Sequence, residues 1–496
     1  MIMKTPYILL IAVTVAACSG RAPGRFDKSS SKPLLFPDYT DVTVPSNIAP
    51  LNFIIEEEGE RFVTVFEGAS RNLTIKGKQV RIKDKDWHKL KNNGRTDVTV
   101  YKKTGGQWTA MQPFSITFKD EIDPYISYRQ IMPSVDSYQN LSINQRCLES
   151  FKSKVVFSNL MLQKTGQGQC INCHHYRNYS TDNMQFHVRQ YLGGTVMVID
   201  GNLRKVNLKT DSTISAGVYP AWHPTHDYIA YSTNMTYQSV HTADLNRIEV
   251  VDQESDLILY DIKDNSVSVI ENDSLQFECF PAWSPDGRML YYVSALYDAP
   301  FDDDRMDRVF ADSRSIKYNL YCKPFNPDTR TWGKSQLLFD AASVGKSVTL
   351  PRVSPDGRWL MFAIAEYGVF HIWHRDADLW MMDLTDGSMR PLDEINSPEV
   401  ESYHSWSSNG KWIIFSTRRE DGAYTRLYLS HLESDGHFSK PFALPQKKPG
   451  FNRNYMYSFN IPEFMKEPVH VSPRRFASFI EATPANTVKY EPKLER

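Results

Sequence analysis

A repeated turn motif constrains the fold of this chain more than any other feature of its sequence. The clearest copy lies in Phe280–Val293 and contains Trp-Ser-Pro-Asp-Gly, and further copies begin at Tyr219, Leu350 and Tyr403. Proline fixes φ, the aspartate bonds to its own backbone, and glycine takes the positive φ of a tight turn between two strands. Because a second pair of strands follows each copy, the repeat predicts four-stranded units arranged as an all-β propeller.

The copies resemble the repeats of TolB-like β-propellers, whose blades carry the same turn. The resemblance covers residues 186–450 and implies a ring of six blades, two of which are degenerate. Gly194–Gly201 is one candidate for a degenerate blade, and the segment around 451–475 is the other. The longest insertions between copies, near 233–255 and 297–317, are expected on one face of the propeller.

The first residues predict an exported protein. The apolar run Pro6–Val13 is too short to cross a bilayer as a helix, and small residues then lead to Cys18. Val15–Cys18 resembles the bacterial lipobox, which implies a signal peptide over residues 1–17 and lipidation of Cys18. The alternative is an ordinary signal sequence cut at the same place. Residues 18–44 are expected to be a lipidated tether.

The rest of the chain divides into four parts. Alternating stretches between Gly-containing turns predict a small β-sandwich over residues 45–126. Residues 127–185 lose this alternation, so an irregular segment is expected there. The propeller is expected over 186–475 and a C-terminal tail over 476–496.

The chemistry of the chain is concentrated in Cys170–His174, which matches C-x-x-C-H, the attachment motif of c-type haem. Two thiols at this spacing can each add to one haem vinyl group, and the next imidazole then binds the iron as proximal ligand. Such attachment takes place outside the cytoplasm, in agreement with the export signal. The sequence therefore predicts one covalently bound haem c, with Cys170 and Cys173 as attachment sites and His174 as axial ligand.

The second axial ligand is left open. Met184 and His187 follow His174 by 10 and 13 residues and are the distal candidates; methionine would raise the reduction potential and histidine would lower it. His175 ranks below them because chain geometry directs it away from the iron. Four histidines near blade turns are further candidates: His223, His371, His374 and His404. With none of these bound, the iron would be open to a small ligand.

A zinc site and a redox disulfide are the alternatives to haem at these residues. A zinc site needs four ligands, which Cys147, His175 and His187 could complete, but no second pair has zinc-finger spacing. A thioredoxin-type disulfide needs a βαβ context, which is missing. Asp302–Asp304 with Asp307 could bind calcium, although a solvated acidic loop is the commoner explanation.

Charge and overall organisation narrow the class of protein. The chain has 57 Lys and Arg against 58 Asp and Glu, so no basic surface for nucleic acid is expected.

Residues 45–465 resemble a family of exported bacterial proteins, common in Bacteroidetes, that joins a β-sandwich, a single haem-binding segment and a TolB-like propeller. The segments that carry this resemblance are Ser46–Phe53, Cys170–His174 and Glu401–Gly410.

The leading hypothesis is a monohaem c-type cytochrome of the cell envelope, held by a lipid anchor at the outer membrane. It would exchange single electrons with a redox partner protein or a small redox molecule, and the propeller would be the docking platform. One alternative is a haem enzyme acting on a small nitrogen or oxygen species at an open iron. Another is a TolB-like envelope scaffold without a redox role.

Overall fold

The computed structural model describes residues 22–68, 72–92, 94–132, 140–162 and 169–492. The predicted signal peptide and Cys18 lie outside these residues. Within the described ranges, no helix has the length and apolar character needed to cross a membrane.

The N-terminal part is a β-sandwich with one helix. Its elements are β1 Asp27–Lys28, β2 Leu35–Phe36, β3 Val42–Pro45, β4 Phe53–Ile55, β5 Arg61–Phe66, β6 Leu73–Lys76, β7 Gln79–Val80, α1 Asp84–Lys91, β8 Arg95–Thr104, β9 Gln107–Ala110 and β10 Phe114–Lys119. One sheet has the order β1-β9-β8-β10-β3, with β5 paired to β8 and β6 paired to β5, and the other has the order β2-β4-β7. Along β10 buried and half-buried residues alternate, as expected for a strand with one face on a core.

The sandwich begins earlier than the sequence predicts. Tyr39, Val42 and Val44 are fully buried in its core, and β3 pairs in parallel with β10. The described part of the predicted tether, residues 22–44, is therefore folded into the sandwich. Proline and serine around these few apolar residues are typical of a linker, which is why the sequence favoured one.

The remaining elements form the propeller. They are β11 Tyr125–Ile131, β12 Ser142–Cys147, β13 Ser153–Ser158, β14 Gln169–Tyr176, β15 Met184–Gln190, β16 Gly194–Ile199, β17 Asn202–Asn207, β18 Val218–Trp222, β19 Tyr228–Val240, β20 Ile248–Asp261, β21 Ser266–Glu271, β22 Gln276–Trp283, β23 Met289–Leu296, α2 Arg305–Ala311, β24 Asn319–Asn326, β25 Thr331–Trp332, β26 Gln336–Phe339, β27 Ser347–Val353, β28 Trp359–Ala365, β29 Asp378–Asp383, β30 Met389–Pro391, β31 Glu401–Trp406, β32 Trp412–Thr417, β33 Arg426–His431, β34 Phe442–Ala443, β35 Ser458–Met465, α3 Pro473–Ala482, β36 Asn486–Thr487 and β37 Lys489–Glu491.

These strands form six blades within the described residues. Blade 1 consists of β35, β11, β12 and β13; blade 2 of β14–β17; blade 3 of β18–β21; blade 4 of β22, β23, β24 and β26; blade 5 of β27–β30; blade 6 of β31–β34. The inner strands β35, β14, β18, β22, β27 and β31 contact one another in this order, and β31 contacts β35 to close the ring. The predicted fold class, an all-β propeller preceded by a β-sandwich, is confirmed.

The propeller is longer at both ends than the sequence predicts. Blades 1 and 2 take in described residues between 125 and 207, so the described parts of the segment 127–185 belong to two sheets and are not an irregular connection. Most of the predicted tail, 476–496, is also part of the fold: α3 buries Phe476 and Ile480 against blades 1 and 2. Strands β36 and β37 add to the outer edges of blades 2 and 3.

The repeated turn joins the two inner strands of a blade and also links neighbouring blades. In blade 4, Gly287 adopts a φ of 71°, and its N–H donates to the carbonyl of Ser284 at 2.9 Å. The indole N–H of Trp283 donates to the carbonyl of Ala221 in blade 3 at 3.0 Å. Trp406 of blade 6 makes the equivalent bond to blade 5. The tryptophan of the motif is thus explained by a bond across the blade interface.

All six inner strands carry a bulge at one equivalent position. Its residue has a positive φ between 45° and 57° in every blade: Cys173, Tyr219, Phe280, Leu350, Tyr403 and Ile461. The pairing register shifts at each of these places. Bulges turn a strand and redirect its side chains, so these residues form a ring around the central channel. We call this set the bulge ring.

A buried carboxyl in blade 4 predicts a pH-dependent stability. Burial, with the nearby carboxyls of Asp256 and Glu271, raises the pKa of Glu278 to about 9. This raised value contributes stability below the unfolded pKa, and the contribution is lost as pH rises toward 9. Glu278→Gln does not undergo this loss, so its stability relative to the wild type is expected to rise by about 4 kcal/mol from pH 5 to pH 8. Urea unfolding at both pH values tests this; an equal difference at the two pH values would contradict it.

Candidate functional site

The C-x-x-C-H sequence lies on β14, the inner strand of blade 2, and Cys173 is a member of the bulge ring. His174 consequently occupies the place of Pro220, Pro281 and His404 in other blades. The bulge changes the direction of the side chains along the strand. As a result, Cys170, Asn172 and Cys173 line one cavity of the channel, whereas His175 and Tyr176 line another.

The first cavity has a volume of about 760 Å³ and is walled by several blades. Cys170 is half-buried, Cys173 is buried, and both thiols are free. Burial raises the pKa of the Cys173 thiol, and Arg189 and Arg129 act against this increase. The two cysteines of the motif therefore face the same enclosed space.

The pairing of β14 with β15 extends this face of blade 2. Cys170 lies opposite Arg189, and Asn172 lies opposite His187. Residues opposite each other in an antiparallel pair share a face of the sheet, and all four side chains line the cavity. The cysteine motif and one of the predicted distal ligands, His187, are thus brought together.

The cavity carries a positive electrostatic character. Its described lining contains Arg129, Arg189 and Lys209 and no aspartate or glutamate. Arg129 donates to Asn172 and, at 3.0 Å, to Asn460. A lining with cations and without carboxylates favours an anionic ligand or a ligand with anionic substituents.

His187 presents one defined nitrogen to the cavity. Its Nδ1 lies 3.0 Å from Oγ1 of Thr195, the residue opposite it on β16. When Nδ1–H donates to this hydroxyl, Nε2 carries the lone pair that a metal can accept. Burial, and secondarily Arg189, lowers the pKa of His187 to about 3, so its imidazole is neutral at pH 7. A neutral imidazole is the form that ligates metals.

His174 is placed differently from the expectation for a proximal ligand. It is buried but is not among the residues that line the cavity. Neither of its ring nitrogens has a hydrogen-bond partner in the described structure. At the equivalent bulge position His404 has one, since its Nε2 lies 3.0 Å from the carbonyl of Met361. His174 is thus a buried imidazole whose two nitrogens are unsatisfied.

The other distal candidates lie away from the cavity. Met184 is fully buried in the apolar core between blades 1 and 2. His175 faces the second cavity, where its Nδ1 lies 3.1 Å from Oε2 of Glu463. The four turn histidines are buried outside the lining, with Nε2 near a carbonyl or carboxylate oxygen: His223 on Gly287, His371 on Gly368, His374 on Glu249 and His404 on Met361.

The first of the two long insertions forms part of the wall of the cavity. The extended hairpin of β19 and β20 contributes Asn234, Thr236 and Ile248 to the lining. Helix α2, from the second insertion, packs on β20 through Arg305, whose Nε donates to the carbonyl of Gln253 at 3.4 Å. The two insertions therefore lie together on one side of the propeller.

The described residues do not contain the ligand clusters that a zinc or calcium site would need. No group of three or more His, Cys, Asp or Glu side chains there could hold a metal ion. Of the zinc ligands considered, His187 and His175 face different cavities, and Cys147 belongs to blade 1. The acidic residues before α2 are partly engaged in an ion pair, Asp302 with Arg308.

Sequence reasoning missed the cations and the tyrosines of the cavity, Tyr219 and Tyr403. A signal for the tyrosines was present. Each bulge residue is followed by proline or histidine and, two residues later, by a large apolar residue in most blades, as in Tyr219–Trp222 and Tyr403–Trp406. Aligning Cys173–Tyr176 with these segments would have placed the motif on an inner strand.

No family model matches the chain, and no curated protein matches it. Among solved structures, it is similar to TolB from Acinetobacter baumannii, with 12% identity, a TM-score of 0.41, and coverage of 77% of this chain and 85% of that one. A mutant of the Synechocystis apocarotenoid oxygenase gives 11% identity, a TM-score of 0.38, and coverage of 86% and 98%. The tricorn protease gives 12% identity, a TM-score of 0.33, and coverage of 92% of this chain and 37% of that one. These values assign no function.

Proposed function

We propose that the protein is a monohaem c-type cytochrome of the cell envelope. The observation that carries this proposal is the orientation of Cys170 and Cys173, both of which face one cavity of about 760 Å³. Thioether bonds from these two thiols to the haem vinyl groups would hold the group there without a further pocket. The predicted lipid anchor at Cys18 would keep the propeller at the outer membrane.

The residues of the cavity fit a haem. The volume lies within the range of roughly 300–1,000 Å³ that cofactor sites occupy. Arg129, Arg189 and Lys209 supply cationic partners for two propionates, and the described lining adds no opposing carboxylate. The neutral imidazole of His187 reaches the same space. One feature departs from the usual arrangement, because His174 lies outside this lining.

The chain's own residues would position the group and set its potential. A c-type haem, when bound, supplies a one-electron couple between ferric and ferrous iron, for which a redox partner protein or a small redox molecule is donor and acceptor. Apolar residues of the lining such as Phe370 and Ile372 reduce the access of water to one part of the cavity, while the arginines add positive charge. Exclusion of water and nearby cations both favour the less positively charged ferrous state, so they raise the potential.

The test is the spectrum of protein exported from cells that contain a cytochrome c maturation system. We expect a Soret band that survives acid-acetone extraction and a c-type α-band in the reduced-minus-oxidised spectrum. A colourless, correctly exported protein would overturn the proposal.

A haem enzyme is the second candidate, because Tyr219 and Tyr403 line the cavity beside the cations. Hydroxyl and guanidinium donors in an enclosed site could bind and polarise a small anionic substrate. Carbon monoxide added to the reduced protein separates the two functions. Slow or absent binding favours the electron carrier, and rapid binding at low concentration favours an open iron and the enzyme.

A further inference from the structure

We propose that His187 supplies an axial imidazole to the haem iron from the cavity side. This inference rests on the proposed function, since it needs a haem attached to Cys170 and Cys173. It goes beyond that function because it assigns the iron a ligand outside the C-x-x-C-H sequence.

The position of His187 supports this role. It lies directly opposite Asn172, between the two cysteines of the neighbouring strand, on the face that lines the cavity. Both strands belong to the same blade, so the distance from the imidazole to the thiols is fixed by β-sheet pairing rather than by a loop. Rigid elements hold ligands more precisely than loops do.

Thr195 fixes the orientation of this imidazole. The threonine is fully buried, and its hydroxyl lies 3.0 Å from Nδ1 of His187. Histidines that bind metals generally donate their other ring N–H to an oxygen acceptor, which sets the tautomer. The hydroxyl thus leaves Nε2 of His187 as the ligating atom.

The other distal ligands predicted from the sequence, and the two tyrosines, are less well placed. Met184 points into the apolar core, and His175 faces the second cavity. Tyr219 and Tyr403 reach the cavity, but burial raises the pKa of both phenols, which disfavours the phenolate that ligates iron. His187 is therefore the one neutral nitrogen ligand in the described lining.

The experiment compares the haem-loaded wild type with His187→Gly, which removes the imidazole and leaves space for a free one. We expect the ferric electron paramagnetic resonance signal of the wild type to change in the variant and to be restored by saturating imidazole. His175→Gly is the matched control, because it removes a histidine of the same blade from the opposite cavity, and it should keep the wild-type signal.

Thr195→Val provides a second measurement, which can be made even when the glycine variant folds poorly. Loss of the hydroxyl acceptor makes the imidazole a weaker donor, so the reduction potential should shift upward while the iron keeps its spin state. Coloured His187→Gly protein with an unchanged signal, or an unchanged potential in Thr195→Val, would overturn the ligand assignment alone. A wild type without haem would overturn the proposed function as well.

Discussion

Replacing both Cys170 and Cys173 with serine is expected to remove all covalently bound haem. Each substitution exchanges a sulfur for an oxygen at a side chain that lines the cavity, so the fold should persist while both thioether bonds are lost. Haem staining after denaturing electrophoresis measures the effect directly, and the expected outcome is complete loss of the stained band. The thermal unfolding temperature should change by only a few degrees.

Cys147→Ser is the matched control for this experiment. Cys147 is half-buried on β12 and does not line the cavity, so its replacement should leave the stained band at wild-type intensity. A double variant of Cys170 and Cys173 that keeps its haem through denaturation would contradict the proposed attachment. Loss of the stained band in Cys147→Ser would show that the staining depends on folding and not on the two cysteines of the motif.

Ending the chain after Tyr457 is expected to abolish the folded propeller. This truncation removes β35, the inner strand of blade 1, and exposes the edge of β11, with which it pairs. The buried apolar side chains that it removes include Phe459, Phe464 and Met465 of β35. Each such loss costs about 2–5 kcal/mol, so together they consume most of a typical folding free energy of about 5–15 kcal/mol.

Two further variants test whether β35 closes the ring of blades. Phe464→Ala alone should lower the free energy of unfolding by about 3–5 kcal/mol. A chain ending after Thr483 keeps β35 and α3 and loses only the edge strands β36 and β37, so it should remain soluble and unfold cooperatively. Soluble yield and urea unfolding provide the comparison. Cooperative, wild-type-like unfolding of the chain that ends after Tyr457 would show that blade 1 does not close the ring.

The sequence predicted those parts of the fold that depend on local signals. The turn in Phe280–Val293 is recognisable because proline, aspartate and glycine act within a few residues of one another. Blade 1 gave no such signal, since three of its strands come from residues 125–158 and the fourth is β35, about 300 residues later. Pairing at that separation is decided by closure of the ring and not by local residue preferences.

The spacing of Cys170 and Cys173 identified the motif from sequence, but not its place in the fold. His187, one of the two distal candidates, lines the same cavity as the two cysteines. The bulge at Cys173 was not predicted, although it determines that His174 points away from this lining. The positive φ of this cysteine follows from the bulge that all six inner strands share. A short stretch of sequence around the motif does not reveal that bulge.

The most direct measurement of the central claim is the intact mass of the exported protein, followed by fragmentation of the peptide that contains Cys170 and Cys173. The account predicts a mass increase of one haem, carried by that peptide through both cysteines. An unmodified mass, in cells where a control cytochrome c matures normally, would contradict it.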